Sequence, residues 1–281
     1  MSRIDQRFML GSFAYRYAVG VKGFAPEIPL DAEGFIKKAA ELGYQRVLLC
    51  ENLNYAVYDD DRIRNINTLA SNLGIEIDVG FRGIGNLKRH MEIARMLNAK
   101  NLRVVVGENI PTLCPHPEEL CQSVAHEIRE NLSILEAEGM ILGIENNFEL
   151  PIERLIQLVR EINSKSVGLI MDCTNCLGLI ENPYYVIQKM SGYIKSVHLK
   201  DYVVKKVEAG YRVEGVPLGS GWLNVPRFMT CIEEYAPDAS IAVEYGMRRD
   251  DNADVIQTVL REQQCNEKDA AYLLERMYLN V

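Results

Sequence analysis

The sequence predicts an α/β protein, and within that class a (β/α)₈ TIM barrel with a β-hairpin inserted after the seventh strand. Short apolar runs alternate with helical patterns roughly every 25–35 residues, and such alternation gives a parallel sheet. The 281 residues accommodate eight of these units, as expected for a barrel of about 250 residues. Since no linker-like stretch interrupts the pattern, we expect a single domain over residues 1–281. A doubly wound open sheet is the alternative.

The first half of the chain divides into four strand–helix units. The first helix has Asp31 near its start and Gly43 just past its end, which are typical start and stop signals. The predicted strands are Phe8–Tyr15, Arg46–Cys50, Ile75–Val79 and Leu102–Val106, and the predicted helices are Leu30–Leu42, Asp60–Leu73, Asn86–Leu97 and Glu118–Glu138.

The second half continues the pattern with one interruption. Apolar runs ending at Glu145, Asp172, His198 and Glu244 are predicted strands five to eight. Two β-rich runs around Glu208-Ala209-Gly210 interrupt the pattern after strand seven and predict the hairpin. The predicted helices are Ile152–Ile162, Pro183–Met190, Val225–Tyr235 and a closing helix over Ala253–Tyr278.

The ends of strands five to eight each carry a residue that can bind a metal. These residues are Glu145, Asp172, His198 and Glu244. A charged residue that closes a buried strand is costly unless it is paired or bound to metal. Because the carboxyl ends of barrel strands meet at one face, the four side chains can reach one volume. Oxygen ligands with one nitrogen suit a divalent ion.

Each of these residues also has an ordinary structural interpretation. Glu145 could cap the next helix, Asp172 could accept bonds from the amides that follow it, and His198 could be a satisfied strand-end histidine. Glu244 could pair with Arg248 or Arg249. Four independent coincidences at four successive strand ends would be required, so the pattern favours a joint metal site.

Five motifs along the second half resemble the sugar phosphate isomerase/epimerase family of xylose-isomerase-like TIM barrels. They occur in the order of that family, from strand five to strand eight. They are Ile144-Glu145-Asn146, Met171-Asp172-Cys173-Thr174-Asn175, Val197-His198-Leu199-Lys200-Asp201, Leu218-Gly219-Ser220-Gly221-Trp222-Leu223-Asn224 and Val243-Glu244-Tyr245-Gly246. The first half resembles the family mainly in layout.

The resemblance implies one divalent metal ion, with manganese favoured and magnesium, cobalt or zinc as alternatives, held by Glu145, Asp172, His198 and Glu244. It also implies that Glu145 and Glu244 exchange a proton with a small sugar, keto-sugar or polyol derivative. Such an ion stabilises an enediolate, and a carboxylate on either face can move the proton. The expected activity is therefore isomerisation or epimerisation.

Further polar residues are candidates for substrate binding. Lys200 follows His198 and could polarise a substrate oxygen. The chain departs from the family at two positions: it lacks the arginine that ketose epimerases often carry a few residues past the metal histidine, and Asn175 stands where some members carry a histidine. The full set is Glu51, Arg82, Asn175, Lys200 and Trp222. Each of these residues could instead have a purely structural role; Lys200, for example, could pair with Asp201. Arg103 begins its predicted strand, so we expect it at the end of the barrel opposite the site.

Three other functions are open to the same scaffold. A metal-dependent lyase, either a dehydratase or a decarboxylase acting on a keto-sugar or keto-acid, would use the same enolate chemistry. A DNA-repair nuclease of this barrel type needs additional metal-binding histidines, but the chain has four histidines and a net charge of −8. That charge does not favour nucleic-acid binding. A non-catalytic partner subunit is the third possibility.

The expected surroundings are those of a cytoplasmic enzyme. Seven cysteines at irregular spacings do not predict a disulfide framework. The charged N-terminus has no apolar segment behind it, and no run is long enough to span a bilayer. We expect a small carbohydrate-type substrate and no nucleic-acid or membrane partner. The closing helix carries Leu260 and Leu273, which could cover the barrel or face a second copy in a homo-oligomer.

Overall fold

Eight parallel strands close into a barrel, with a two-stranded antiparallel hairpin beside it. The computed structural model describes residues 3–107, 113–244 and 246–279, with side chains to residue 275; Tyr245 of the strand-eight motif therefore lies outside the described residues. The strands are β1 (Phe8–Gly11), β2 (Arg46–Leu49), β3 (Glu76–Arg82), β4 (Asn101–Val105), β5 (Ile141–Glu145), β6 (Val167–Asp172), β7 (Ile194–Leu199), β8 (Asp201–Val207), β9 (Gly210–Val216) and β10 (Ser240–Val243).

The barrel order is β1-β10-β7-β6-β5-β4-β3-β2, and β8 pairs with β9. The eighth barrel strand is thus β10, and the hairpin follows β7. Both features confirm the predicted TIM barrel. An open doubly wound sheet is excluded because β1 pairs on one side with β10 and on the other with β2.

Helices surround the barrel and begin largely where the sequence predicts. They are α1 (Arg16–Val19), α2 (Ala32–Glu41), α3 (Asp60–Leu73), α4 (Leu87–Met96), α5 (Pro117–Ala137), α6 (Ile152–Ile162), α7 (Pro183–Met190), α8 (Val225–Tyr235) and α9 (Val255–Leu279). The carboxylate of Asp31 accepts a hydrogen bond from the amide of Gly34 and caps α2. None of the helices in the described part of the chain combines the length and apolarity needed to cross a bilayer.

Two strands differ from their predicted limits by more than one residue. The first strand ends at Gly11 and is followed by a 3₁₀ turn over Ser12–Tyr15. The hydroxyl of Ser12 accepts a bond from the amide of Cys50 and contacts Asn52, which turns the chain away from the sheet. The third strand runs to Arg82 rather than Val79, so Arg82 lies at the carboxyl end of the barrel wall.

The closing helix α9 carries buried polar side chains that bind loops at the carboxyl ends of the strands. Glu262 accepts bonds from the amides of Tyr17 and Ala18, and Asp269 accepts one from the amide of Leu218. The apolar Leu273 is buried, as expected for a residue that covers the barrel. The helix therefore fixes the positions of two loops that surround the site.

Candidate metal centre

The ends of neighbouring strands bring the four predicted ligands together. Asp172 on β6 lies directly beside His198 on β7, and Glu145 ends β5 next to them. Glu244 follows β10, whose last residue, Val243, pairs with Leu199. All four ligand side chains are buried, with at most 3% of each residue exposed.

The ligand atoms are close enough to share one ion. Glu145, Asp172 and His198 each offer an atom, and these atoms lie within 4.8 Å of one another. The Nδ1 atom of His198 is 3.4 Å from a Glu145 oxygen, 3.8 Å from an Asp172 oxygen and 3.7 Å from a Glu244 oxygen. Three carboxylates around one imidazole form a donor set suited to a divalent cation.

Unpartnered atoms in this cluster fit a metal ion as well. Neither ring nitrogen of His198 has a hydrogen-bond partner among the described residues. Buried polar atoms are rarely left without a partner, because each costs about 1–3 kcal/mol. A cation bound by these atoms would remove that cost.

Asp172 uses one carboxylate oxygen to accept hydrogen bonds in the turn that follows it and directs the other toward the ligand cluster. Its Oδ1 atom accepts bonds from the amides of Thr174 and Asn175, both at 2.8 Å. Its own amide donates to Oδ1 of Asn146 at 2.6 Å, and Nδ2 of Asn146 donates back to the carbonyl of Asp172 at 3.0 Å. The Asp172 side chain is thereby held with Oδ2 turned toward His198.

The prediction for Arg103 was wrong. Arg103 is the third residue of β4, and its side chain runs inside the barrel to the ligand end. Its Nε atom donates to Oε2 of Glu145, and its Nη1 atom donates to Oε2 of Glu51 at 2.8 Å. The prediction failed because a long side chain on an inward-facing position can reach the far end of the barrel. Its position between Leu102 and Val104 in an apolar strand was the available signal.

Both carboxylate oxygens of Glu145 have partners. Oε2 accepts from Arg103, and Oε1 accepts from Nδ2 of Asn175 at 2.9 Å. Burial by itself raises the pKa of Glu145, but the positive charges of Arg103, His198 and Lys200 outweigh it and lower that pKa to about 2. Glu145 is therefore held as a carboxylate.

Lys200 lies among the ligands and not beside Asp201. Its Nζ atom is 2.5 Å from Oδ2 of Asp172 and 2.9 Å from Oε2 of Glu244. The carboxylate of Asp201 instead accepts bonds from the amides of Gly221 and Leu223. The alternative of a Lys200–Asp201 pair is excluded, as is a pair between Glu244 and Arg248, which contacts Asp251.

A glycine that the sequence analysis did not single out allows Glu244 to enter the site. A Cβ atom added at Gly11, the last residue of β1, would lie 2.5 Å from Cγ of Glu244. A real Cβ atom cannot approach so closely, so any larger residue at position 11 would displace the Glu244 side chain.

A cavity of about 430 Å³ opens above the ligands. Its lining includes Glu145, Glu244 and Lys200 together with the predicted Arg82 and Asn175. Glu51 is not part of the lining, but it is bound to Arg103, which is. Trp222 is 65% exposed and does not belong to the lining. The structure thus brings four of the five predicted substrate residues to the ligand cluster.

The chain belongs to the xylose isomerase-like TIM barrel family, whose model matches residues 36–263. It is 24% identical over 200 residues to the 3-oxo-isoapionate decarboxylase of Pectobacterium atrosepticum, which covers 70% of each chain. It is also 22% identical over 179 residues to the uncharacterized protein YihM of Escherichia coli, covering 64% of this chain and 53% of that protein.

Solved structures share the fold at low sequence identity. An L-ribulose 3-epimerase has a TM-score of 0.70 at 13% identity, and the alignment covers 100% of this chain and 97% of the other. A xylose isomerase-like protein of Mycobacterium smegmatis, solved in complex with magnesium, has a TM-score of 0.64 at 15% identity and covers 95% and 97%. At such identities these likenesses establish the fold alone.

Proposed function

We propose that this protein is a divalent-metal-dependent isomerase of a small sugar, keto-sugar or polyol derivative that uses Glu244 as its base. The observation that carries the proposal is the difference between the two glutamates. Oε1 of Glu244 is buried and has no partner among the described residues, whereas both oxygens of Glu145 are occupied. One carboxylate is therefore available for proton transfer.

The bound ion would be held by Glu145, Asp172, His198 and Glu244. When bound, such an ion polarises a carbonyl and its neighbouring hydroxyl and stabilises the enediolate that forms between them. Glu244 would remove the proton from the carbon that bears the hydroxyl and return it to the neighbouring carbonyl carbon, while the hydroxyl proton passes to the former carbonyl oxygen, so both protons are conserved. That transfer converts an aldose into a ketose or the reverse.

Epimerisation by two bases has less support. It requires Glu145 to accept a proton on the opposite face of the substrate. The Arg103 guanidinium holds Glu145 as a carboxylate of low basicity, with the pKa lowered to about 2 despite its burial. Burial raises the pKa of Glu244, but neighbouring positive charges, chiefly that of Lys200, outweigh that effect and lower it as well, so the preference for Glu244 as the base rests on its unpartnered oxygen.

A lyase that acts on a keto-sugar or keto-acid is the second candidate, and two observations favour it. The curated relative of 24% identity is a decarboxylase. In addition, the cavity lining carries Arg16, Arg82, Arg103 and Lys200, an excess of cations that suits an acidic substrate. Loss of CO₂ or of a β-hydroxyl would pass through the same enolate.

We also propose an identity for the metal ion and a cellular compartment for the protein. Three carboxylates and one imidazole are consistent with Mn²⁺, and Mg²⁺, Co²⁺ or Zn²⁺ are alternatives. All seven cysteines are free, so we propose a reducing cytoplasm as the compartment. We further propose that residues 1–281 act as a single domain.

Incubation of the Mn²⁺-loaded protein with keto-sugars and keto-acids in D₂O separates the two candidates. Deuterium at a carbon next to the carbonyl, with the carbon skeleton and its hydroxyls intact, is expected for the isomerase. Release of CO₂ or water assigns the lyase. Protein stripped of metal by a chelator should be inactive, and full activity without metal would refute both.

A further inference from the structure

Four cationic side chains line the cavity above the ligands, and two of them form close ion pairs with acidic side chains of the protein. Arg103 is bound to Glu145 and Glu51, and Lys200 lies between Asp172 and Glu244. The other two, Arg16 and Arg82, line the same cavity, and the shortest hydrogen bond of Arg82 goes from Nη1 to the neutral carbonyl of Gly107 at 3.2 Å.

Arg82 holds only long contacts to acidic groups. Its Nε atom is 3.4 Å from Oε1 of Glu51, and its Nη1 atom is 3.4 Å from Oε1 of Glu149. Both distances exceed the usual 2.9–3.0 Å of an N–H···O hydrogen bond. The side chain is 36% exposed, so its remaining N–H groups can reach a ligand in the cavity.

Arg16 is exposed, but the turn that carries it is held firmly. The buried carboxylate of Glu262 accepts from the amides of Tyr17 and Ala18, both at 2.9 Å. Nδ2 of Asn266 donates to the carbonyl of Ala14 at 2.8 Å. Arg16 itself forms no ion pair with any residue that the structure describes. The Arg16 guanidinium lies over the ring of Tyr17, 5.3 Å from its centroid, and its N–H groups are left without an acidic partner among those residues, so it is well placed on the fixed α1 to bind an anion.

The charge balance of the site indicates how much negative charge a ligand should bring. The described carboxylates in and under the cavity are Glu51, Glu145, Glu149, Asp172 and Glu244, and the cations are Arg16, Arg82, Arg103 and Lys200. A divalent ion would leave this set with one net positive charge. One added negative charge balances it, whereas a phosphate dianion would exceed it.

We infer that Arg16 and Arg82 together hold a carboxylate of the substrate, which makes the substrate a sugar acid. This inference rests on the proposed function, since it assigns the substrate of the same site. The carbonyl and hydroxyl of the sugar acid face the ligand cluster, and its carboxylate accepts charge-assisted hydrogen bonds from the two guanidinium groups. The binding energy of this remote group orients the reacting carbons over Glu244.

Three probes with one carbon skeleton test the inference by calorimetry on the full, Mn²⁺-loaded chain. D-Glucose is neutral, D-glucuronate carries one negative charge, and D-glucose 6-phosphate carries about two. We expect glucuronate to bind most tightly. R16Q and R82Q should each weaken glucuronate binding about tenfold or more and leave glucose unchanged, because each removes a charge-assisted hydrogen bond. R64Q, an exposed arginine on α3, is the matched control and should bind like wild type.

Several outcomes would overturn the inference. The first is that glucose binds as tightly as glucuronate, and the second is that both substitutions leave the affinity for glucuronate unchanged. The third is that none of the probes binds. The fourth is that the protein prefers glucose 6-phosphate and the two substitutions remove that preference. Elemental analysis of each variant separates this failure from failure of the proposed function. If the protein holds one metal per chain but shows no preference for a carboxylate, only the inferred role of Arg16 and Arg82 is refuted. If the wild-type protein binds no metal, the proposed function is refuted. If R82Q is unstable, R16Q on its exposed turn carries the test alone.

Discussion

Arg103 on β4 donates its Nε hydrogen to Oε2 of Glu145, the last residue of the adjacent strand β5. The contact lies inside the barrel, where both side chains are buried. A second donor, Nη1, binds Glu51 at 2.8 Å. The guanidinium therefore fixes the position of Glu145 and holds it as a carboxylate, and in the proposed function Glu244 acts as the base.

Arg103→Met should destabilise the fold strongly. The substitution leaves the carboxylates of Glu145 and Glu51 buried without their counter-charge, and breaking a buried pair costs about 3–5 kcal/mol. Urea denaturation of metal-free protein measures the loss. Arg95→Gln is the control, because the Arg95–Glu138 pair lies at the surface, where water screens the charges, and should contribute much less to stability. Equal losses in the two variants would contradict the buried role of Arg103.

His198→Ala should abolish metal binding while the barrel still folds. The imidazole is the one nitrogen donor of the cluster, and its nitrogens have no other partner among the described residues. For wild type, Mn²⁺ at about 100 times its dissociation constant should raise the unfolding free energy by about 2.7 kcal/mol. A thermal melt with and without Mn²⁺ measures the effect. An equal rise in the variant would rule out His198 as a ligand.

Glu244→Gln and Glu145→Gln should differ in how their activity responds to added Mn²⁺. We expect Glu244→Gln to lower kcat by about 10²–10⁴ even at saturating Mn²⁺, because it removes the base. Glu145→Gln removes a ligand charge, so part of its lost activity should return as the Mn²⁺ concentration is raised. Steady-state rates across a metal titration make the comparison. Recovery of the Glu244 variant by metal would reverse the assignment.

Gly11→Ala should affect the site more than the fold. The added methyl group would lie 2.5 Å from Cγ of Glu244, so that side chain must move out of the cluster. We expect weaker Mn²⁺ binding in calorimetry and a large loss of kcat. Gly139→Ala is the control, because it is also a glycine-to-alanine change but the added Cβ atom would have no other atom within 4 Å. Gly139 has a φ of +62°, so its cost should appear in stability and not in metal affinity.

Asp269→Asn should change how stability depends on pH. Burial, and then the negative charge of Asp201, raise the pKa of Asp269 to about 7, although the amide bond from Leu218 opposes the shift. The folded state therefore binds more protons than the unfolded state between about pH 4 and 7. As pH rises through that window, the wild type loses stability, by up to about 4 kcal/mol for a shift of this size.

The asparagine variant keeps an oxygen acceptor for the Leu218 amide but cannot ionise. Its unfolding free energy should accordingly fall less than that of wild type between pH 5 and pH 8, as measured by urea titrations at both pH values. Parallel pH profiles for the two proteins would show that Asp269 does not titrate in this range.

Much of the barrel was predictable because its strands are buried on both faces and its helices carry local signals. The limits of α3, α6, α7 and α8 match the prediction, since capping residues and prolines act on the helix in which they occur. The prediction that Phe8–Tyr15 forms one strand failed at Ser12, because the turn there depends on contacts with Cys50 and Asn52. Such contacts leave no periodic pattern.

The sequence by itself determined the alternation of strands and helices and the order of the four ligand-type residues along it. Strand ends of a parallel barrel converge at one face, so ligands at successive ends can be assigned to one site without coordinates. Only the tertiary structure decided that both oxygens of Glu145 are hydrogen-bonded while Oε1 of Glu244 has no partner among the described residues. That difference arises from Arg103, Asn175 and Lys200, whose side chains reach the glutamates across strands, and distances between side chains of separate strands are not encoded in local spacing.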